Sequence, residues 1–363
     1  MIDSVNLLVR DIEWIDFKYL KKLGIYYKKF KKKQRNGYVC LCYSFKYKEI
    51  KFIYNKNYKT VLIMTNAHIV LNKKDITVSD KFEYELKIQK ILQVILNIPN
   101  IKYEVNRIDY CDDFKTNEII SYIEGKNIKK FTPTENDMKI YHYLLWYGRH
   151  TYKYMKQDRV YGTSIYLKTK HGKYNFQFYD RYAKTKKEED KGIYRVELQC
   201  KNKFIKSNFK NVGISKDLDN YWSKSAMIEY YFDFLQDFFN RGDYYKLDEG
   251  TKIIKKSKNN TVKMRNKLIK FREDIITYTL DNLLKPKFCK EVNKLNKEKV
   301  LNYCYTKIKN YIERLDEIGV NPISIIDYNG GKTDRTSLPN LLKLLRSVAE
   351  EKYFKWCSTI WKM

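Results

Sequence analysis

The chain has 363 residues, with 73 Lys and Arg against 43 Asp and Glu, and a formal net charge of +30. That length exceeds one typical domain, so two domains, or one with a large extension, are expected. An excess of this size goes beyond what solubility needs and points to a polyanionic partner, while the absence of any run of 18 apolar residues argues against a transmembrane helix.

Only 13 of the 73 basic residues are Arg, as an AT-rich coding sequence would give; that explains Lys over Arg but not the shortage of acids. The 7 cysteines lack the paired spacing of a zinc site and read as reduced thiols of a cytoplasmic protein. The first residues show no basic segment, apolar stretch and cleavage site of a signal peptide. His68, His142, His150 and His171 are scattered, which argues against a histidine-held metal.

In chain order, 2–10 alternates as a first strand, and 12–23 has apolar residues at helical spacing. Lys28, Lys29, Lys31, Lys32 and Lys33 follow as either a phosphate clamp or a solvated loop. Three β-rich runs at 38–47, 51–54 and 60–70 predict an antiparallel sheet, and 81–96 a helix packed on it. The run 103–114 reads as a strand with Arg107, Asp109, Cys111 and Asp113 on one face. Asp109 and Asp113 would lie about 13 Å apart on a straight strand, so Asp109 is the stronger metal-ligand candidate and Asp113 joins it only if the strand bends. A surface salt-bridge strand is the alternative. Residues 117–123 read as a short helix and 135–154 as a longer aromatic one, in which Tyr143 and Tyr147 stand one turn apart.

The stretch 161–198 reads as three strands joined by polar turns. Alternation sets Ser164, Tyr166 and Lys168 opposite Ile165 and Leu167, so a phenol shares a face with an ammonium group. Gln177, Tyr179 and Arg181 oppose Phe176 and Phe178, and 184–191 is a charged loop tip. Further on, Arg195, Glu197 and Gln199 oppose Tyr194, Val196 and Leu198. Arg107 and Asp109 upstream, Arg195 and Glu197 downstream, repeat one Arg-x-acid pattern, and carboxylates of this kind favour Mg²⁺ or Mn²⁺.

Beyond Phe204 the β signal fades, and 218–239, 262–284, 296–318 and 338–356 read as helices. A basic stretch holding Lys263, Arg265 and Lys267 either contacts DNA or is a solvated helix face. Residues 322–348 weakly suggest a helix-turn-helix. The expected architecture is α+β: an antiparallel-sheet domain over 1–210, then a mainly helical region over 211–363.

The order of the motifs resembles the rolling-circle replication initiators of the filamentous-phage gene II type and, more loosely, the Rep-trans plasmid initiators and the relaxases of conjugative elements. The residues that carry the likeness are Met1 to Asp3 with their apolar continuation, Arg107 with Asp109, Ile165 to Lys168, Phe178 to Arg181, and Arg195 with Glu197. They fall within 1–210. The resemblance implies a metal-dependent nicking and joining enzyme with a Rep/relaxase-like sheet, linked through tyrosine to a 5′ phosphate. It matches Tyr166 to the nucleophile among 34 tyrosines and Asp109 and Glu197 to the conserved acids. Arg181 stands where many relatives have Lys, beside Lys168 in the catalytic set. Arg107, Arg195, Lys263, Arg265 and Lys267 are the expected DNA contacts. The implied partners are single-stranded or hairpin origin DNA and a host helicase, with no membrane. A non-catalytic basic DNA-binding regulator and a conjugative relaxase are the alternative readings.

Overall fold

β-Branched and aromatic residues at alternate positions build the strands of the first two hundred residues. The computed structural model describes residues 2–34, 37–124, 126–148, 155–161, 164–169, 171–239, 242–295, 301–326 and 334–349, with only the backbone at 146–148, 155–161, 237–239 and 281. The strands are β1 (Ile2–Val9), β2 (Tyr27–Lys33), β3 (Val39–Tyr47), β4 (Ile50–Asn55), β5 (Thr60–Asn66), β6 (Glu104–Lys115), β7 (Ile120–Glu124), β8 (Asn127–Phe131), β9 (Met155–Tyr161), β10 (Ser164–Thr169), β11 (Tyr174–Asp180) and β12 (Ile193–Cys200). Ten of them form one sheet in the order β2-β3-β4-β5-β1-β6-β12-β11-β10-β9, and β7 pairs with β8 apart from it. The architecture is α+β with a large, mainly antiparallel sheet.

By contacts the chain forms two compact units, one of 1–111, 172–175 and 197–230, the other of 112–171, 176–196 and 231–363. In the first, β1 to β5 bury one face. Leu7, Ile63 and Phe52 lie across from one another on neighbouring strands and are fully buried. Helix α1 (Phe17–Lys22) starts at Asp16, whose carboxylate accepts from the backbone N–H of Lys18 and Tyr19, and Phe17 packs against Tyr27 and Tyr43. A short helix α2 (Ala67–Leu71) follows β5 directly. Helix α3 (Lys81–Leu96) buries Tyr84, Ile88, Leu92 and Ile95, and the Tyr84 and Thr65 hydroxyls are 2.6 Å apart, which fixes the helix to the same face as Leu7 and Ile63. Each such apolar side chain stabilises the fold by about 1.5–3 kcal/mol.

Several expectations are corrected. Lys28 to Lys33 belong to strand β2, not to a loop: at the sheet edge β2 has a partner on one side only, and lysines suit that place because they discourage further pairing. Residues 120–124 are a strand of the β7–β8 hairpin, not a helix. Asn117, at φ 66°, stops a helix from starting, and Ile and Tyr then favour the extended form.

In the second unit α4 (Glu135–Gly148) buries Tyr141, whose hydroxyl donates to the Pro339 carbonyl, and Asp137 pairs with Arg335. The remainder of the 135–154 helix expected from sequence lies outside the described residues. Helix α5 (Arg181–Thr185) follows β11 where a loop tip is expected. In the first unit, α6 (Asn202–Val212) follows β12. In the second, later helices include Leu247–Lys256, Val262–Tyr278, Tyr305–Glu317 and Leu341–Ala349. Arg272 is fully buried and donates to the carbonyls of Tyr245 and Leu247; a side chain at Gly250 would collide with its guanidinium. The helix-turn-helix reading fails at its start. Residues 322–326 form bends and a bridge from Ile325 to Lys246 instead of a helix, and Asn329 to Gly331 lie outside the described residues.

Candidate metal centre

Strand β6 lies beside β1, with Ser4 opposite Asp109 and Asn6 opposite Arg107. Between Ile2 and Ser4 the register slips, leaving Asp3 as an extra residue in β1. Such a bulge re-aims a side chain that strict alternation would send to the other face. Asp3, Asp109 and, from β12, Glu197 each present a carboxylate oxygen, and all lie within 4.8 Å of one another. Asp109 and Glu197 are buried. Sequence reading placed Asp3 in a motif of the resemblance but did not name it as a ligand, because no residue pattern announces a bulge.

The surrounding bonds orient these groups. Arg107 Nε donates to Asp109 Oδ1 at 2.7 Å and Nη2 to Oδ2, so both oxygens meet the guanidinium. Ser4 Oγ donates to Asp3 Oδ2 at 2.8 Å. Gln199 Nε2 donates to Glu197 Oε1, and Asn175 Nδ2 in turn to Gln199 Oε1. Burial pushes the Asp109 carboxyl up to about 7; Arg107 pulls it down, while Glu197 and Asp3 push it further up. Burial opposes the charge on Arg107, yet its bonds to Asp109 hold its pKa above the ordinary value. Besides the Arg107–Asp109 pair, His68 Nε2 stands 3.8 Å from Asp3 Oδ1. Three carboxylates offer hard oxygen donors, which suit Mg²⁺ or Mn²⁺.

Asp113 is not part of that group. Arg195 Nε and Nη2 donate to its two oxygens at 2.6 and 2.8 Å, and Arg181 Nη1 donates at 2.8 Å. Arg181 also pairs with Asp190 at 2.9 Å. Burial acts to raise the Asp113 carboxyl, but Arg195 and Arg181 outweigh it and hold it below the usual range. Two guanidiniums occupy the oxygens a metal would need, so Asp113 is withdrawn as a ligand. Arg195, only 6% exposed, is a poor contact for DNA.

Tyr166 stands on β10 opposite Arg159 of β9. Its neighbours Ile165 and Leu167 are fully buried while Tyr166 is half-buried and Lys168 exposed, as alternation requires, but Ser164, set by alternation on the Tyr166 face, is buried too. Of the C-terminal basic residues, Lys263 and Lys267 are exposed one turn apart on their helix. Arg265 differs, because it donates to the carbonyls of Asn260 and Lys255.

No protein-family profile matches the chain, and no curated protein does. Among solved structures, partial similarity is found to the rolling circle replication initiator protein from Geobacillus stearothermophilus, at 10% identity over 55% of this chain and 73% of that one, with a TM-score of 0.30. A likeness at that level fixes neither fold nor role. Among the described residues no helix is long and apolar enough to cross a membrane.

Proposed function

We propose that the protein is a metal-dependent DNA strand transferase of the rolling-circle initiator kind, which nicks one strand at an origin and rejoins it through a phosphotyrosyl link. The observation that carries this reading is the oxygen site of Asp3, Asp109 and Glu197, the last two buried, inside a chain of net charge +30. A strongly basic protein that gathers carboxylates on a strand face has a use for a divalent cation beside a polyanion.

Asp3, Asp109 and Glu197 would hold Mg²⁺ or Mn²⁺, which when bound polarises a non-bridging phosphate oxygen. Arg107 offsets part of the negative charge and fixes Asp109. Tyr166 gives up its phenol proton as its oxygen attacks phosphorus; the new O–P bond replaces the bond to the 3′ oxygen, which leaves and takes up a proton. A phenolate is itself a good leaving group, so the link is reversible. Lys168, on the same strand face as Tyr166, attracts the phosphate. Residues 1–210 carry the nicking function in this reading, and Lys263 and Lys267 of the region 211–363 add backbone contacts to the origin.

Mixing the protein with Mn²⁺ and a single-stranded origin oligonucleotide is expected to give an SDS-resistant adduct that maps to Tyr166. Tyr166→Phe is expected to retain binding and form no adduct. An adduct at Tyr143, Tyr174 or Tyr179 removes Tyr166 as nucleophile. With no adduct on the cognate origin, the protein is a non-catalytic DNA-binding regulator.

A further inference from the structure

The face of β1 to β5 opposite the packed helices is exposed or half-buried along most of its cross-strand rows, although Asn6, Cys40 and Cys42 on it are buried, and the rows can be followed residue by residue within the first unit. One row runs Arg107, Asn6, Met64, Lys51, Lys46 across β6, β1, β5, β4 and β3. It begins at the guanidinium that touches Asp109 and ends on an exposed lysine. A parallel row runs Leu8, Leu62, Ile53, Ser44, Lys28 and reaches the edge strand β2. Residues directly opposite one another in neighbouring strands share a face, so each row is a continuous surface path. Four inter-strand steps of about 4.8 Å make the first row about 19 Å long.

The composition of these rows points to one kind of occupant. Lys28, Lys46 and Lys51 are exposed, while Leu8, Ile53, Leu62 and Met64 between them are only half-buried. On the reverse face Leu7, Ile63 and Phe52 are fully buried. The acid at the end of the second row, Glu104, opposite Leu8, is bonded by Arg10 and Lys216, so it does not cancel the lysines. Lysines suit phosphates, and half-exposed apolar side chains suit the faces of unpaired bases. A duplex shows its phosphates to the lysines and keeps its base faces stacked inside, leaving the apolar floor unused.

We propose that this open face is a track for single-stranded DNA, leading from the carboxylate centre across β1, β5, β4 and β3 to the lysine edge at β2. The track rests on the DNA-handling reading above but not on the identity of the nucleophile.

The test uses the full chain, EDTA to exclude metal, and fluorescence anisotropy with a labelled 20-nucleotide oligothymidylate and a duplex of equal length. The variant Lys28→Ala/Lys46→Ala/Lys51→Ala removes the track lysines. The control Lys287→Ala/Lys290→Ala/Lys294→Ala removes the same charge from exposed positions on the helix Pro286–Leu295. The track variant is expected to bind oligothymidylate about tenfold more weakly or worse, with the log–log salt slope reduced by about 2, as three lost contacts on a single strand imply. The control changes affinity less than about threefold. Met64→Ser weakens the single strand more than the duplex. Equal losses in both triple variants, unchanged oligothymidylate binding, or a loss confined to duplex overturns the track. Metal-dependent nicking is scored separately. If wild-type protein binds along these lysines but never nicks, the catalytic reading fails and the track stands; if it nicks and the track variant binds normally, the track alone fails.

Discussion

Asp109 is where the physics of the site is sharpest. Its carboxyl is buried and pushed up to about 7, so near neutrality a cation competes with a proton for the same oxygens. Mn²⁺ affinity measured by calorimetry should therefore rise about tenfold per pH unit from pH 5.5 to 6.5 and flatten above pH 7. Asp109→Asn should lower the affinity at least tenfold and abolish that slope. A wild-type affinity flat across this range would remove Asp109 as a ligand. Without metal the sign for stability is opposite. The folded pKa is raised above 3.8, so the folded state holds the extra proton between about 4 and 7, and stability falls as pH rises through that window. Asp3 shows what residue patterns leave out. Its nearness to Asp109 depends on a one-residue slip between paired strands, which only the fold reveals.

At the scale of elements, Asp113 joins the far part of β6 to β12 through Arg195 and to the start of α5 through Arg181. Asp113→Ala leaves the buried Arg195 charge without that partner and should cost about 3–5 kcal/mol in urea denaturation at pH 7, with Asp113→Asn less severe. The Asp113 carboxyl lies below its ordinary value, so its contribution is full above the unfolded pKa and is lost as pH falls through the folded one. The mutant and wild type should thus converge in strong acid; a gap that persists there would mean that packing, not charge, is lost. This clamp also shows how far alternation can be read. It put Arg195 and Glu197 on one face of β12 correctly, but a face does not name a partner, and Arg195 reaches Asp113 while Glu197 meets Asp3 and Asp109. Strands rich in Ile, Val and aromatics were legible, as was α3, because one face of each is buried. The lysine edge β2 and the hairpin β7–β8 were not, since edge strands held by a single neighbour bury too little to leave a periodic signature.

For the molecule as a whole, a net charge of +30 acts on folding and binding in opposite directions. Like charges spread over the surface repel one another in the compact state more than in the expanded chain, and dissolved salt weakens that repulsion. The Debye length shrinks from about 30 Å at 0.01 M to about 8 Å at 0.15 M, comparable to the spacing of the lysines along the open face of β1 to β5. Exposed ion pairs such as Lys59 with Glu13 are worth at most about 1 kcal/mol each, so their loss at higher salt does not reverse the gain. The thermal midpoint of the free protein should therefore rise by several degrees between 20 and 300 mM KCl, while affinity for a single-stranded oligonucleotide falls by orders of magnitude over the same range. Scanning calorimetry and anisotropy on one preparation measure both slopes. A midpoint that falls with salt would show that the lysines are held in stabilising pairs in the folded protein, and would take away the unneutralised charge on which DNA binding depends.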